Sequence, residues 1–308
     1  MTIGDHSDKY AGYPICDWQP GSRLENPAGC LIRIGITYDE ADEGVTWTDK
    51  FAEFLDSPAA AVVPGIVVGA WDEVGVEVGS AGIVEALVAA RDSLPCLHVI
   101  FFGDITYEEA EISWIEQSDM APLFGAYPQL THFCVRGGNQ LSFGLLRHEN
   151  LRQLIVQSGG LGRDVVRQIG RAQLPKLEWL ELWLGDSNYG GDCEVDDLQP
   201  ILAGVQFPLL KQLGLKNAEK QDEIAVAVAS APVLQQLETL DLSMGTLTEL
   251  GAQALLNSGG VKKLKHLNLA ENYLSAPLLT RFNALGISVN LAEQKTGDEG
   301  DRYVSVAE

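Results

Sequence analysis

The sequence has 308 residues, of which 46% are hydrophobic, and a formal net charge of −22 from 43 acidic and 21 basic residues. Its length and apolar content suffice for one large folded domain and exclude a chain that is disordered throughout. The excess negative charge repels phosphate backbones and anionic lipid, so nucleic acid and membrane surfaces are poor partners; it suits a basic protein, a cation or solubility alone.

The cysteines and the N-terminal residues indicate the compartment. The cysteines are odd in number, scattered, and never spaced as CxxC: they are Cys16, Cys30, Cys96, Cys134 and Cys193. This pattern argues against a disulfide framework and against a zinc knuckle, and it is typical of a reducing environment. The first ten residues, MTIGDHSDKY, contain no apolar leader. We therefore expect a cytoplasmic protein.

In chain order, residues 1–29 form an N-terminal extension, and regular elements are predicted after them. The segment CLIRIGITYDE predicts a strand, because Ile32, Ile34 and Ile36 alternate with other residues. The segment WTDKFAEFL predicts a helix with its aromatic residues on one side. Together they predict a cap over about residues 30–62, at the start of a domain that spans residues 30–292.

The pattern LxxLxL recurs through this domain. It is clearest in LKHLNLAENYL, which contains Leu264, Leu267, Leu269 and, at the turn, Asn272. Copies in the same phase begin at Val63, Leu97, Leu130, Leu151, Leu177, Leu210, Leu237 and Leu264. Segments with helical periodicity, such as TLTELGAQALLNSGG, lie between the copies. A last edge strand is predicted at about 285–291, and residues 293–308 are predicted to be a polar, frayed tail.

These copies resemble the leucine-rich repeat, and their strand–helix length is similar to that of the ribonuclease-inhibitor class. The resemblance implies an α/β solenoid shaped as a horseshoe, with a parallel β-sheet on the concave face and helices on the convex face. The segment GDITYEEAEISWIEQSD more narrowly resembles a family of uncharacterised bacterial cytoplasmic leucine-rich-repeat proteins. That family brings no established activity, so the resemblance implies fold and compartment only.

The same acidic segment, which follows a predicted strand, is interpreted as a helix. Thr106 and Glu109 have the spacing of a capping box, and the apolar residues behind them recur at helical spacing. The alternative is a site for a hard cation such as Mg²⁺ or Ca²⁺, because Asp104, Glu108 and Glu111 offer clustered carboxylate oxygens.

Residues between the leucines of each strand are predicted to face the concave surface. There Trp179, Glu181 and Trp183 combine large aromatic area with a charge, and Arg136 and His132 are expected two strands away. Aromatic and arginine side chains dominate binding hot spots, so these five residues are the candidate partner-binding site. The alternative is that both tryptophans are buried under the loop that follows them.

That loop, DSNYGGDCEVDD, carries a second alternative. Its spacing approaches that of an EF-hand, so Asp186, Asn188, Asp192, Glu194 and Asp197 could bind Ca²⁺. The sequence has no GxSxG or HExxH motif, and we predict no catalytic residue and no cofactor. The favoured function is a protein-interaction or scaffolding module; the alternative is a metal-binding protein or enzyme that uses the acidic loop and the Trp179–Trp183 strand.

Overall fold

A computed structural model of the chain describes residues 3–72 and 78–308, apart from the side chain of Glu299. In this part of the chain twelve strands form one sheet, and their spatial order follows the chain order. The strands are β1 (Lys9–Tyr10), β2 (Tyr13–Asp17), β3 (Leu31–Ile34), β4 (Gly65–Val68), β5 (Val99–Phe102), β6 (His132–Arg136), β7 (Gln153–Gln157), β8 (Trp179–Gly185), β9 (Gln212–Ala218), β10 (Thr239–Asp241), β11 (His266–Asn268) and β12 (Ser288–Asn290). Strands β1 and β2 pair antiparallel, and each later pair is parallel.

From β3 onward one or two helices separate each strand from the next, except between β6 and β7, where the described residues form no helix. They are α1 (Tyr38–Asp42), α2 (Trp47–Leu55), α3 (Ala81–Ala89), α4 (Ala121–Ala126), α5 (Arg163–Gly170), α6 (Gln199–Leu202), α7 (Gln221–Ala229), α8 (Glu249–Asn257) and α9 (Ala276–Asn283). Helix α2 covers the nine residues predicted from the sequence, and it begins at a capping box formed by Thr46 and Asp49. Among the described residues, no helix is both long and apolar enough to cross a membrane.

The repeated leucines form the core. In the parallel register, Leu213, Leu240 and Leu267 are direct partners on β9, β10 and β11, and all three are buried. The buried residues of the helices belong to the same apolar cluster, so the helices cover this face of the sheet. A single strand–helix unit leaves its leucines exposed, whereas stacked units bury them together. The prediction of a parallel α/β architecture with a repeated unit is confirmed.

Asn272 stabilises the turn after β11, as its position in the repeat predicts. Its side chain is fully buried and donates to the carbonyls of Leu242, Leu269 and Ala270 at 2.9–3.2 Å. Its carbonyl oxygen accepts the backbone N–H of Leu247 at 3.0 Å. One side chain therefore satisfies backbone groups from two consecutive repeats.

The prediction of a helix in the acidic segment is wrong. Residues 103–120 form turns, although the carboxylate of Glu109 accepts hydrogen bonds from the backbone and hydroxyl of Thr106 as a capping box would. The reason is lateral pairing with the next repeat: Glu116 pairs with Asn139, and Asp119 with Ser142, in isolated parallel bridges. These long-range backbone bonds override the local helical preference.

The two termini are also part of the folded unit. Strands β1 and β2 lie within residues 1–29, and β2 pairs with β3, so residue 29 is not a structural boundary. The tail is not frayed as predicted, because Val304 and Val306 are buried and pack at the edge of the sheet. The reason is that Val306 joins the main apolar cluster and lies beside Ile105 and Ile112, which are far away in the chain.

Candidate binding cleft on the open face

We call the sheet face turned away from the helices the open face. It is the face predicted to be concave, and its central row in register order consists of Val67, Phe101, Cys134, Ile155, Glu181, Gly214, Asp241, Asn268 and Asn290. The row is apolar as far as β7 and polar from β8 onward. The side chains of the polar half form hydrogen bonds and ion pairs with one another, whereas the apolar half is covered by another part of the chain. A cleft lies where the two halves meet.

The polar half is bonded to itself. The indole of Trp183 donates to Glu181 at 2.7 Å, and Lys216 lies 3.4 Å from the same carboxylate and 5.2 Å from the indole ring centre. Asp241 lies 3.7 Å from Lys216 and accepts a hydrogen bond from Asn268. The two carboxylates therefore share one cation, Lys216, within the sheet.

The pKa of Lys216 reflects this pairing. Burial alone would lower its pKa, but the carboxylates of Glu181 and Asp241 raise it above its usual value. The prediction that Trp183 and Glu181 offer free contact surface is therefore corrected, since both side chains are buried and bonded to each other. The reason is that Lys216, one strand away, supplies the partner they need.

Arg136 is likewise not available to a partner. Its guanidinium is buried, donates to the Ile105 carbonyl and to Gln157, and lies 5.3 Å from the centre of the Phe101 ring. Burial lowers its pKa, and the nearby carboxylate of Asp104, 3.5 Å away, opposes that shift. Its prediction as a surface contact is wrong, because the turn at 103–105 folds over it.

Asp104 is the centre of a buried ionic cluster. Its fully buried carboxylate lies 2.8 Å from Arg33 and accepts hydrogen bonds from the backbone and hydroxyl of Ser7. Together with Arg136, two cations therefore face one carboxylate. The cation-site interpretation of Asp104, Glu108 and Glu111 is not supported, because Asp104 is already bonded to arginines and Glu108 is exposed.

A second pair fastens the N-terminal segment beside this cluster. The His6 imidazole lies 3.4 Å from the carboxylate of Glu109. The hydrogen bond to Glu109 raises the pKa of His6, and burial partly opposes it. Burial tends to raise the pKa of Glu109, but the bonds from His6 and Thr106 lower it overall. Residues 6 and 7 are thus held against the end of β5.

The apolar half of the open face is covered by the hairpin of β1 and β2. Its two-residue turn, Ala11 and Gly12, has φ of 50° and 83°, the conformation of a tight hairpin turn that glycine favours. The ring of Tyr10 packs 5.5 Å from Phe101 and 6.5 Å from His132, measured between ring centres. The hairpin therefore buries the apolar row and stops short of β8.

The cleft lies beyond the hairpin tip and has a volume of about 660 Å³. It spans β6 to β9, and its inner lining includes Tyr10, His132, Gln153, Ile155, Trp179 and Gln212. Trp179 is half-buried and packs against the apolar cluster beneath the hairpin. Two residues of the predicted site, Trp179 and His132, are thus brought together here, and the other three are not.

Two buried polar atoms of the lining lack hydrogen-bond partners. They are the side-chain carbonyl oxygen of Gln153 and the hydroxyl of Tyr10. An unpaired buried polar group costs roughly 1–3 kcal/mol, so native proteins seldom keep one without a reason. Burial raises the pKa of Tyr10 well above its usual value, so the hydroxyl stays protonated and can donate. Both atoms are shielded from solvent in this structure, so a partner reaches them only when the lining side chains move apart.

The remaining groups leave the interior of the cleft uncharged. Burial, and then the electrostatic effect of the nearby His98, lower the pKa of His132, so its imidazole is neutral near pH 7. Its Nδ1 atom lies 2.9 Å from the Thr131 hydroxyl. The charged residues of the lining, Lys9, Arg152 and Glu178, lie at the rim, and the last two are 3.6 Å apart. The cleft combines an aromatic wall, an apolar floor and neutral hydrogen-bonding groups.

The carboxylate oxygens of the acidic loop after β8 do not converge on one point. Its pairs are Asp192 with Arg163, Glu194 with Lys220, and Asp197 with Arg167, at 2.8, 2.6 and 2.7 Å. Asp186 accepts hydrogen bonds from the backbone and side chain of Asn188. Within residues 3–72 and 78–308, no group of three or more His, Cys, Asp or Glu side chains could hold a metal ion. The alternative of a Ca²⁺ site in this loop is not supported by the geometry, because these carboxylates are bonded to separate partners.

Sequence reasoning missed Tyr10 and Gln153 as parts of the site. Gln153 occupies an open-face position that the repeat pattern identifies. Its residue type alone does not distinguish it from the other polar residues on that face. Tyr10 lies in the extension, and no local pattern indicates that a hairpin from there reaches β6.

The molecule is thus an α/β protein with a solenoid-like parallel sheet and a cleft on its open face. No family model and no curated protein matches the chain. A structural-genomics crystal structure of a protein from Bacteroides fragilis is similar to it, with a TM-score of 0.82 and 34% sequence identity. The match covers 89% of this chain and 76% of the other. The chain belongs to the same family as that protein.

Proposed function

We propose that this chain is a leucine-rich-repeat horseshoe that binds a protein partner in the cytoplasm through its concave face. The observation that carries the proposal is the cleft beside Trp179, where buried polar atoms of Gln153 and Tyr10 have no partner. A partner side chain or backbone segment that donates to Gln153 and bonds to Tyr10 would remove both unsatisfied groups. This gain is available only in the complex.

Trp179 is the anchor of the proposed contact. Half-buried tryptophans that line a cleft combine a large contact area with little conformational entropy, which is why they are frequent hot spots. His132 faces the same cleft as a neutral hydrogen-bonding group. The contact centre therefore lies on the same strands, β6 to β8, as a site built on Trp183 and Arg136, but nearer to the amino ends of those strands.

The net charge favours a basic partner. With −22 on the chain, long-range attraction steers a positively charged protein toward it, although the cleft interior is uncharged. Association should slow as salt concentration rises, while the dissociation rate, which depends on the close contacts in the cleft, should change less. We infer a scaffolding or recruiting role, since the interior of the cleft lacks charged acid–base groups.

Site-specific photo-crosslinking in the native host tests this function. A photoreactive residue at position 212, inside the cleft, should give a discrete crosslinked partner that disappears when Trp179→Ala is added. The matched control is position 145 on the helix side, where Leu145 is 81% exposed. A partner crosslinked from position 145 alone, or from position 212 regardless of Trp179, would contradict the proposal.

A further inference from the structure

The tail at residues 303–308 lies in a groove along the carboxyl edge of the sheet. We call this the edge groove; its lining includes Ile105, Ile112, Gly159, Asn217 and Met244. The tail crosses the ends of β10 and β9 and then reaches the turn after β7. Of the described side chains in residues 293–308, only Val304 and Val306 are buried.

Residues of the edge groove form hydrogen bonds with the backbone of the tail. The carbonyl of Met244 accepts the N–H of Ser305 at 2.8 Å. The side-chain amide of Asn217 accepts the N–H of Val306 at 2.9 Å and donates to the carbonyl of the same residue. A fully buried asparagine thus pairs with both backbone groups of one residue in an extended segment, as a neighbouring β-strand would.

Two further features shape the groove for an extended chain. Asn217 and Met244 both adopt a left-handed backbone, with φ of 53° and 69°, a conformation that asparagine tolerates and that is unfavourable for methionine. At Gly159 a Cβ atom would overlap the carbonyl oxygen of Ala307, so the tail can lie there only because the residue is glycine. The shape of the groove therefore fits the backbone of an extended segment.

The groove buries two aliphatic side chains of the tail. Val304 and Val306, two residues apart, point into the protein, while Ser305 between them is only partly buried and Glu308 is exposed. Period-two burial is the rule for an extended peptide on a surface. Val306 and Ser305 lie beside Ile105, Ala110 and Ile112 of the acidic segment.

We propose that the edge groove is a peptide-recognition site, which the chain's own tail occupies as an intramolecular ligand. Its ligand class is an extended segment with two aliphatic side chains two residues apart. A partner protein that carries such a segment takes the place of the tail, which leaves without disturbing the sheet because none of the twelve described strands lies within it. This inference is independent of the cleft at Trp179.

A labelled peptide with the sequence of residues 298–308, DEGDRYVSVAE, tests the proposal by fluorescence anisotropy. The full-length variant Val304→Asp/Val306→Asp should release its tail and bind the peptide at least about tenfold more tightly than the wild type, because a tethered tail competes at roughly millimolar effective concentration. Adding Gly159→Ala should abolish the binding, and so should Asp at both valines of the peptide.

Circular dichroism shows whether the tail variant keeps its fold. A folded variant that binds no peptide, or that binds equally well with Gly159→Ala, overturns the proposal. If the variant does not fold, Gly159→Ala alone decides the question in the full chain. It should release the wild-type tail and speed tryptic cleavage after Arg302 at least about tenfold, since cleavage follows the population of the open form. An unchanged cleavage rate in this variant overturns the proposal.

Discussion

Replacing Asp104 with alanine is expected to lower the free energy of unfolding by about 3–5 kcal/mol. The carboxylate is fully buried and faces the guanidinium groups of Arg33 and Arg136 at 2.8 and 3.5 Å. Removing it leaves the buried Arg136 without its ion-pair partner and leaves Arg33 with Asp17 as its remaining carboxylate partner, 2.6 Å away. It also removes the acceptor for Ser7, so the N-terminal segment loses one of its attachments to the end of β5.

Urea denaturation measures this loss, and Glu108→Ala is the matched control. Glu108 belongs to the same acidic segment but is exposed, so its replacement should change the stability by no more than about 0.5 kcal/mol. A loss below about 1 kcal/mol for Asp104→Ala would mean that Arg33 and Arg136 are compensated by other groups.

Leu240→Ala is expected to destabilise the protein by about 2–5 kcal/mol. Leu240 is fully buried and lies between Leu213 and Leu267 on the neighbouring strands. Truncation opens a cavity that these two partners cannot fill, because each is held in register by its own strand.

The same denaturation experiment on Leu250→Ala is the control for Leu240. Leu250 is 67% exposed on α8, so its truncation should change stability by no more than about 0.5 kcal/mol. Equal effects at positions 240 and 250, or a loss below about 1 kcal/mol at position 240, would contradict the predicted phase of the repeat.

The core was predictable because its signal is local and repeated. The spacing of Leu264, Leu267 and Leu269 recurs in each copy, and a parallel sheet places equivalent leucines side by side. Asn272 was predictable for the same reason, since its position in the copy defines its backbone partners. Stacking turns a short pattern into tertiary structure.

The conformation of the acidic segment was not predictable from its own sequence. A capping-box spacing and apolar periodicity indicate a helix, but the segment instead pairs with residues 139 and 142 of the next repeat. The burial of Asp104 depends on Arg33 and Arg136, which lie 71 and 32 positions away in the chain. Such long-range partners leave no trace in a local pattern.

The open face shows the same division. Strand alternation correctly placed Trp179 and Trp183 on one face, but it could not distinguish the half-buried residue from the one bonded to Glu181 and Lys216. The hairpin that brings Tyr10 to the cleft consists of β1 and β2, the first two strands of the sheet, whereas the cleft spans β6 to β9. Which open-face residues remain free is therefore decided by tertiary contacts.

The affinity of a crosslinked partner, once purified, for Trp179→Ala and Trp114→Ala tests the central claim most directly. Trp114 is 54% exposed in the acidic segment, outside the cleft, and serves as the matched tryptophan. We predict that Trp179→Ala weakens binding by about 2 kcal/mol or more, roughly 30-fold, while Trp114→Ala binds like the wild type. Equal affinity for wild type and Trp179→Ala, or a larger loss at Trp114, would contradict a binding site in the cleft.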